Sequence, residues 1–241
     1  MPHMPFSIAP MEDAEPVIVG GLQATIVWRK NNRARHVALR IDPQAGRIVI
    51  TLPPRGSRQA GLALLRGHES WVAERLASLP PALVIADGNE IPVFGQPHRI
   101  VHDRGARGGA AIETSVIRVS GHPDFLARRV RDMLRDLAFR EFSAMARHMA
   151  AQFRARPAAV RIKDTHTRWG SCTADGTMMF SWRLIMAPRF VQDYVVAHET
   201  AHLRHMNHGP DFWTLVETLT PYRAEATSWL RREGPGLLRI S

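Results

Sequence analysis

The first clear hydrophobic pattern has a period of two. Val37, Leu39 and Ile41 alternate with Ala38 and Arg40, and Ile48, Ile50 and Leu52 repeat the alternation beyond turn residues at positions 43–46. Successive strand side chains point to opposite faces, so this pattern predicts a β-hairpin with one buried face. The period then lengthens. Leu64, Leu65, His68, Trp71, Val72 and Leu76 recur at spacings of three and four, which predicts one helix, capped by Ser57 and ended by Pro80 and Pro81. Residues 91–93, 98–101 and 112–119 read as strands, with a Gly-rich loop at 104–109. A long helix is predicted over about residues 124–154, where Phe125, Val130, Met133, Leu134, Leu137, Phe142 and Met145 form an apolar stripe. Short strands follow at 160–163 and 178–182, the second expected at a sheet edge. Pro188 opens a helix expected to reach about Met206, and Pro210 and Pro221 each start another.

This order of elements gives an α+β chain in three parts. Residues 1–20 are rich in Pro and Met, lack periodicity and read as a flexible tail. Residues 21–120 form a β-rich region with one helix and no catalytic motif, and residues 121–241 carry the remaining helices and the chemistry.

Composition narrows the function classes. The chain has 241 residues and a net charge of +10, carried by arginine apart from Lys30 and Lys163. Such a balance attracts anionic partners, so nucleic acid or a nucleotide on the basic surface is a candidate partner. One cysteine, Cys172, excludes an internal disulfide. No apolar run approaches the roughly 18 residues of a membrane span, and the N-terminal residues lack a secretory pattern. A soluble cytoplasmic protein without membrane association is expected.

Candidate chemistry lies in His198-Glu199-Thr200-Ala201-His202, an H-E-x-x-H motif. On a helix, positions four apart differ by about 40° in direction and about 6 Å along the axis, so both imidazoles can converge on one ion. Glu199, adjacent to a ligand, is placed to act on water as a general base and not to bind the metal. Zinc needs a third protein ligand and an open position. His205 and His208 are the candidates. On a continued helix His205 would lie about 10 Å along the axis from His198, too far to share an ion. Asn207 can stop the helix and Gly209-Pro210 can turn it back, which favours His208. Three neutral imidazoles and an open position favour one zinc ion per chain, with iron, cobalt, nickel and manganese as alternatives by ligand type.

The surrounding segments make the pattern more specific: Arg168-Trp169-Gly170-Ser171-Cys172, Ser181-Trp182-Arg183-Leu184-Ile185, Tyr194-Val195-Val196, and His198 onward to Phe212-Trp213. Together these resemble the YgjP-like metallopeptidases, relatives of SprT-like proteases. The resemblance implies a zincin-like catalytic domain with an N-terminal β-rich extension, and maps the metal ligands onto His198, His202 and His208 and the general base onto Glu199. It departs at Thr200, at Phe180 and Ser181, and at Gly209, none of which is a proposed ligand. Trp169 is expected in packing and Cys172 as a small buried residue. Arg168 is a candidate substrate-binding group for a carboxylate or phosphate, with a structural salt bridge as the alternative.

The expected activity is hydrolysis of peptide bonds in a peptide or protein substrate. A metal-dependent nucleotide phosphohydrolase (a nucleoside triphosphate pyrophosphatase) is the alternative, although the sequence has no Walker-type phosphate loop. A DNA-associated protease of the SprT-like type is a third reading, supported by charge alone.

Overall fold

The computed structural model describes residues 13–105, 107–165 and 168–241. It divides into two compact units, Met1–Pro80 and Pro81–Ser241. No helix among the described residues is long and apolar enough to cross a membrane.

In the first unit, strands β1 (Asp13–Val19), β2 (Leu22–Lys30), β3 (Ala38–Asp42) and β4 (Arg47–Leu52) form one sheet in the order β1-β2-β4-β3. The predicted hairpin is β3 and β4, paired antiparallel from Ala38↔Thr51 to Asp42↔Arg47. β1 corrects the expected tail. Its period-two pattern is short and interrupted by Pro16, yet it pairs with β2 through a turn in which Gly20 and Gly21 take φ of 54° and 80°. Proline is tolerated there because β1 is an edge strand. The first twelve residues of that tail lie outside the described residues.

Ser57 caps α1 (Arg58–Gly67), its side chain accepting from the Ala60 N–H at 3.2 Å. The single helix predicted here is two. The chain leaves helical geometry at His68 (φ −123°), and α2 (Glu69–Ala77) starts directly after it. The break turns Leu65 and Val72 onto the core with Ile26, Trp28, Ile48, Ile50 and Leu52, and leaves Trp71 half exposed. Gly61 sets the closeness of α1 to the sheet, because a Cβ there would lie 2.6 Å from the Trp28 ring.

The second unit begins with β5 (Glu90–Val93), β6 (Gln96–Asp103), β7 (Ala110–Glu113) and β8 (Val116–Ser120), in sheet order β5-β6-β8-β7. What reads in sequence as one strand over 112–119 is split by a turn with Thr114 at φ 53°. Ile91, Val93, Ile100, Ile117 and Val119 share one core with α3 (Leu126–Ala151). The strands before residue 120 therefore pack as part of the body that holds the later helices. A second sheet, β9 (Ala159–Lys163), β10 (Gly170–Cys172) and β11 (Thr177–Ser181), has the order β10-β11-β9. β11, expected at an edge, is central: it pairs with β10 on one side and β9 on the other, and Val160 and Ile162 of β9 extend the apolar face of its buried Met178 and Phe180. The edge strand beside the H-E-x-x-H helix is β10.

Four helices complete the unit: α4 (Arg189–Ala201), α5 (Pro210–Leu219), α6 (Arg223–Arg232) and α7 (Gly234–Leu238). Before α4, the 3-10 turn Trp182–Met186 is fully buried, including Arg183. Its guanidinium pairs with Asp164 and donates to the Ile240 carbonyl at 3.1 and 3.3 Å, so the buried charge is compensated.

Candidate metal centre

α4 forms because Val191, Val195, Val196 and Ala197 give it an apolar face for the core. Gln192, buried on the same helix, ties it to the preceding turn, its side-chain N–H groups donating to the carbonyls of Ile185 and Ala187 at 3.1 and 2.7 Å. The helix ends at Ala201 with His202 as its C-cap, five residues short of the predicted Met206. Tight turns replace it: Leu203 N–H donates to Thr200 O, and Arg204 and His205 N–H donate to Ala201 O. The early stop points the His205 carbonyl back at the His202 ring, 3.0 Å from Nδ1. A neutral imidazole that donates from Nδ1 keeps its lone pair on Nε2.

His198 and His202 stay one turn apart on the same side of α4, with ring centroids 5.2 Å apart. His208 arrives from the connection to α5, its Nε2 3.1 Å from His198 Nε2. One ring nitrogen of each of the three histidines lies within 4.8 Å of the others. His205 is not in this group. Its contribution is the carbonyl that orients the His202 ring.

The pocket wall is aromatic. α5 starts at Pro210 behind Gly209, and its first turns put Phe212 at 4.6 to 5.0 Å from all three imidazoles. Trp213 lies 5.8 and 5.7 Å from His198 and His208. Burial pushes the His198 imidazole down to about 4, helped by His202, His208 and the charge of Arg223. His202 is also held below the usual histidine range, by burial first. The two α4 rings are thus neutral near pH 7, with lone pairs available. Two Nε2 atoms 3.1 Å apart, with a third nitrogen near, match the roughly 3.3 Å between ligands of a tetrahedral zinc ion. The donor set fits a divalent cation.

Glu199 is buried beside the cluster and outside it. Burial raises its carboxyl to about 7, against a smaller opposing effect of the Arg168 guanidinium. Gly170 makes the space: a Cβ there would lie 2.6 Å from Glu199 Cγ and 2.7 Å from Oε1. Arg168 is exposed, two residues before that glycine, and the Thr165 hydroxyl donates to its carbonyl at 2.7 Å. Trp169 packs on Gly234 as expected of a packing residue. Burial, with Glu199 and Asp175 nearby, pushes the Cys172 thiol up to about 11, which keeps it protonated and a poor nucleophile.

The model of the YgjP-like metallopeptidase domain matches residues 35–233 of the chain. The chain belongs to this family. The match spans β3 to the end of α6, so it includes every residue described at the site. No curated protein and no solved structure matches the chain. For a YgjP-like chain, membership implies a metallopeptidase and hence a divalent metal, and the three histidines are the group that could hold it.

Sequence reasoning had missed three contributors. Gly170 is a bare glycine in a strand, and only the neighbouring carboxyl explains it. The His205 carbonyl carries no side-chain signal at all. Arg223 opens an ordinary amphipathic helix, and its position over Trp213 depends on how α5 and α6 pack.

Proposed function

We propose that this chain is a zinc-dependent metallopeptidase in which His198, His202 and His208 hold the ion and Glu199 is the general base. The convergence of three imidazole nitrogens beside a buried, separately held carboxyl carries this reading. When bound, zinc supplies Lewis acidity that polarises a carbonyl and makes water more acidic. Glu199 accepts a proton from the attacking water as its oxygen bonds to the scissile carbonyl carbon. The same carboxyl then passes that proton to the amide nitrogen as the C–N bond breaks. Burial raises the affinity of this carboxyl for a proton, which suits it to take one from water and pass it on. Phe212 and Trp213 exclude water from one side. The free edge of β10, next to Glu199 through Gly170, offers an extended peptide backbone pairing. Arg168, exposed two residues before Gly170, is the group assigned here to hold a substrate carboxylate or carbonyl oxygen.

The test pairs metal analysis with activity. Purified, metal-quantified protein is assayed on unfolded protein and on nucleoside triphosphates, with Glu199→Gln alongside. Peptide cleavage that depends on zinc and is lost in Glu199→Gln is expected. Phosphate or pyrophosphate release without peptide cleavage contradicts the reading.

A further inference from the structure

Arg223 stands one aromatic ring away from the proposed ligands. It opens α6, and its guanidinium carbon lies 3.7 Å from the centre of the Trp213 ring. Trp213 in turn contacts the rings of His198 and His208. Stacking fixes the plane of the guanidinium. Its Nη1 donates to Glu217 Oε1 at 2.7 Å, a solvent-exposed pair of small energetic weight that leaves its other N–H donors uncommitted to that carboxylate. Beside it is a cleft of about 580 Å³, lined by Thr227, Ser228 and Arg231 from the same face of α6 and by Glu217. Arg223 and Arg231 lie on one face of the helix with Ser228 between them, so cationic and hydroxyl donors line one wall, while the Thr227 hydroxyl donates to the Arg223 carbonyl at 2.6 Å.

The charge balance is what asks for a ligand. Among the described residues the candidate metal-holding group is three histidines and contains no carboxylate. Arg223 stands one aromatic ring from His198, and Arg168 lies two residues before Gly170, the glycine against Glu199. Two guanidinium groups next to a cation site weaken cation binding by repulsion. Such a local conflict is expected where it serves a ligand. A substrate anion would relieve it.

We infer that Arg223 and the α6 cleft form an anion subsite of the centre, which takes a carboxylate of the substrate peptide. This rests on the metallopeptidase reading. A planar carboxylate matches the fork of an arginine already held flat on an aromatic ring, and Ser228 adds a neutral donor. The preferred substrate therefore carries an acidic residue, or its own C-terminal carboxylate, near the bond that is cut.

The experiment uses zinc-loaded full-length protein and matched peptides. One pair differs by internal Glu against Gln, and a second by a C-terminal acid against an amide. Wild type is expected to favour one carboxylate member by about 10-fold to 100-fold in kcat/KM, the scale of a charge-assisted hydrogen bond. The pair that shows the preference identifies the source of the carboxylate. In Arg223→Gln the ratio should fall to near one, mainly through KM, and Arg223→Lys should restore part of it. A wild-type ratio near one in both pairs, or a ratio unchanged in Arg223→Gln, overturns the subsite. A second arm measures the affinity of the same peptides for the Glu199→Gln protein by calorimetry, with and without Arg223→Gln. If wild type cleaves no peptide, the metallopeptidase reading fails. The calorimetric arm still decides the subsite, because tighter binding of carboxylate peptides that depends on Arg223 supports it and equal binding refutes it.

Discussion

α3 and α4 are the two helices at the heart of the second unit, and they bury different things. α3 places Leu126, Val130, Leu134, Ala138, Phe142, Ala146 and Ala150 in the core at a strict spacing of four, and Ser143 is its one buried polar side chain. α4 is half as long and buries Gln192, Glu199 and Thr200, with His202 at its cap. The Ser143 and Thr200 hydroxyls both lack a partner among the described residues. What sets α4 apart is the buried Glu199 carboxyl and the Gln192 side chain, whose N–H groups reach backbone carbonyls while its oxygen has no partner among those residues. Burying a carboxyl and an amide without full hydrogen bonding costs stability. α3 is thus built to hold the fold, and α4 gives up stability to present chemistry that the α3 core must support.

The largest effects should separate these roles. Glu199→Gln is expected to lower peptidase kcat by about 10²-fold to 10⁴-fold, the range of a lost general base, while zinc content is kept. The same change should stabilise the metal-free protein at alkaline pH. A carboxyl at about 7 when folded and near 4.5 when unfolded binds more protons in the folded state across that window. Its contribution to stability is full below about pH 4.5 and is lost as pH rises through 7. Denaturant melts of metal-free wild type and Glu199→Gln should therefore diverge between these values and run in parallel above pH 8. Coincident melts at every pH would place the carboxyl in solvent.

Phe142→Ala tests the other side. Its fully buried ring lies 5.4 Å from that of Phe180, so truncation should cost about 3–5 kcal/mol of unfolding free energy. Folded Phe142→Ala protein should still bind zinc. Selective loss of zinc from folded protein, with no loss of stability, would reverse the assignment of the two helices.

Gly170→Ala should be smaller in stability and specific in effect. The added methyl has to displace the Glu199 side chain, so activity should fall by about tenfold or more with stability changed by about 1–3 kcal/mol. Kinetics beside a thermal melt checks this, and wild-type activity in Gly170→Ala would show that the carboxyl does not need its present position.

The smallest predicted effect is a shift in pH dependence. The Arg168 charge favours ionised Glu199, so Arg168→Ala should raise that carboxyl further and move the acidic limb of kcat/KM to higher pH. A limb that stays in place would leave Arg168 with substrate contact or structure alone.

Sequence and structure agree best where chemistry is tied to local spacing. His198 and His202 share a face because they are four apart, and His208 directly precedes the turn marked by Gly209 and Pro210. The α3 stripe, the β3–β4 hairpin and the Ser57 cap were legible for the same reason, since each depends on neighbours within a few residues. Features set by distant partners were not. The helix break at His68 depends on how Leu65 and Val72 reach a sheet far away in sequence, and β1 is a strand because β2 pairs with it despite Pro16. The early end of α4 was hidden because residues 203–206 are compatible with helix, and the gain that ends it is the His205 carbonyl on His202. The central place of β11 depends on β9, and the purpose of Gly170 on Glu199.

Zinc affinity of wild type and His208→Ala, measured by competition with a chelator on folded protein, tests the three-histidine centre most directly. The account predicts one tightly bound ion per wild-type chain and binding weaker by about 10²-fold or more in His208→Ala, with the fold retained. Wild type that binds no zinc, or His208→Ala that binds it as tightly as wild type, would contradict it.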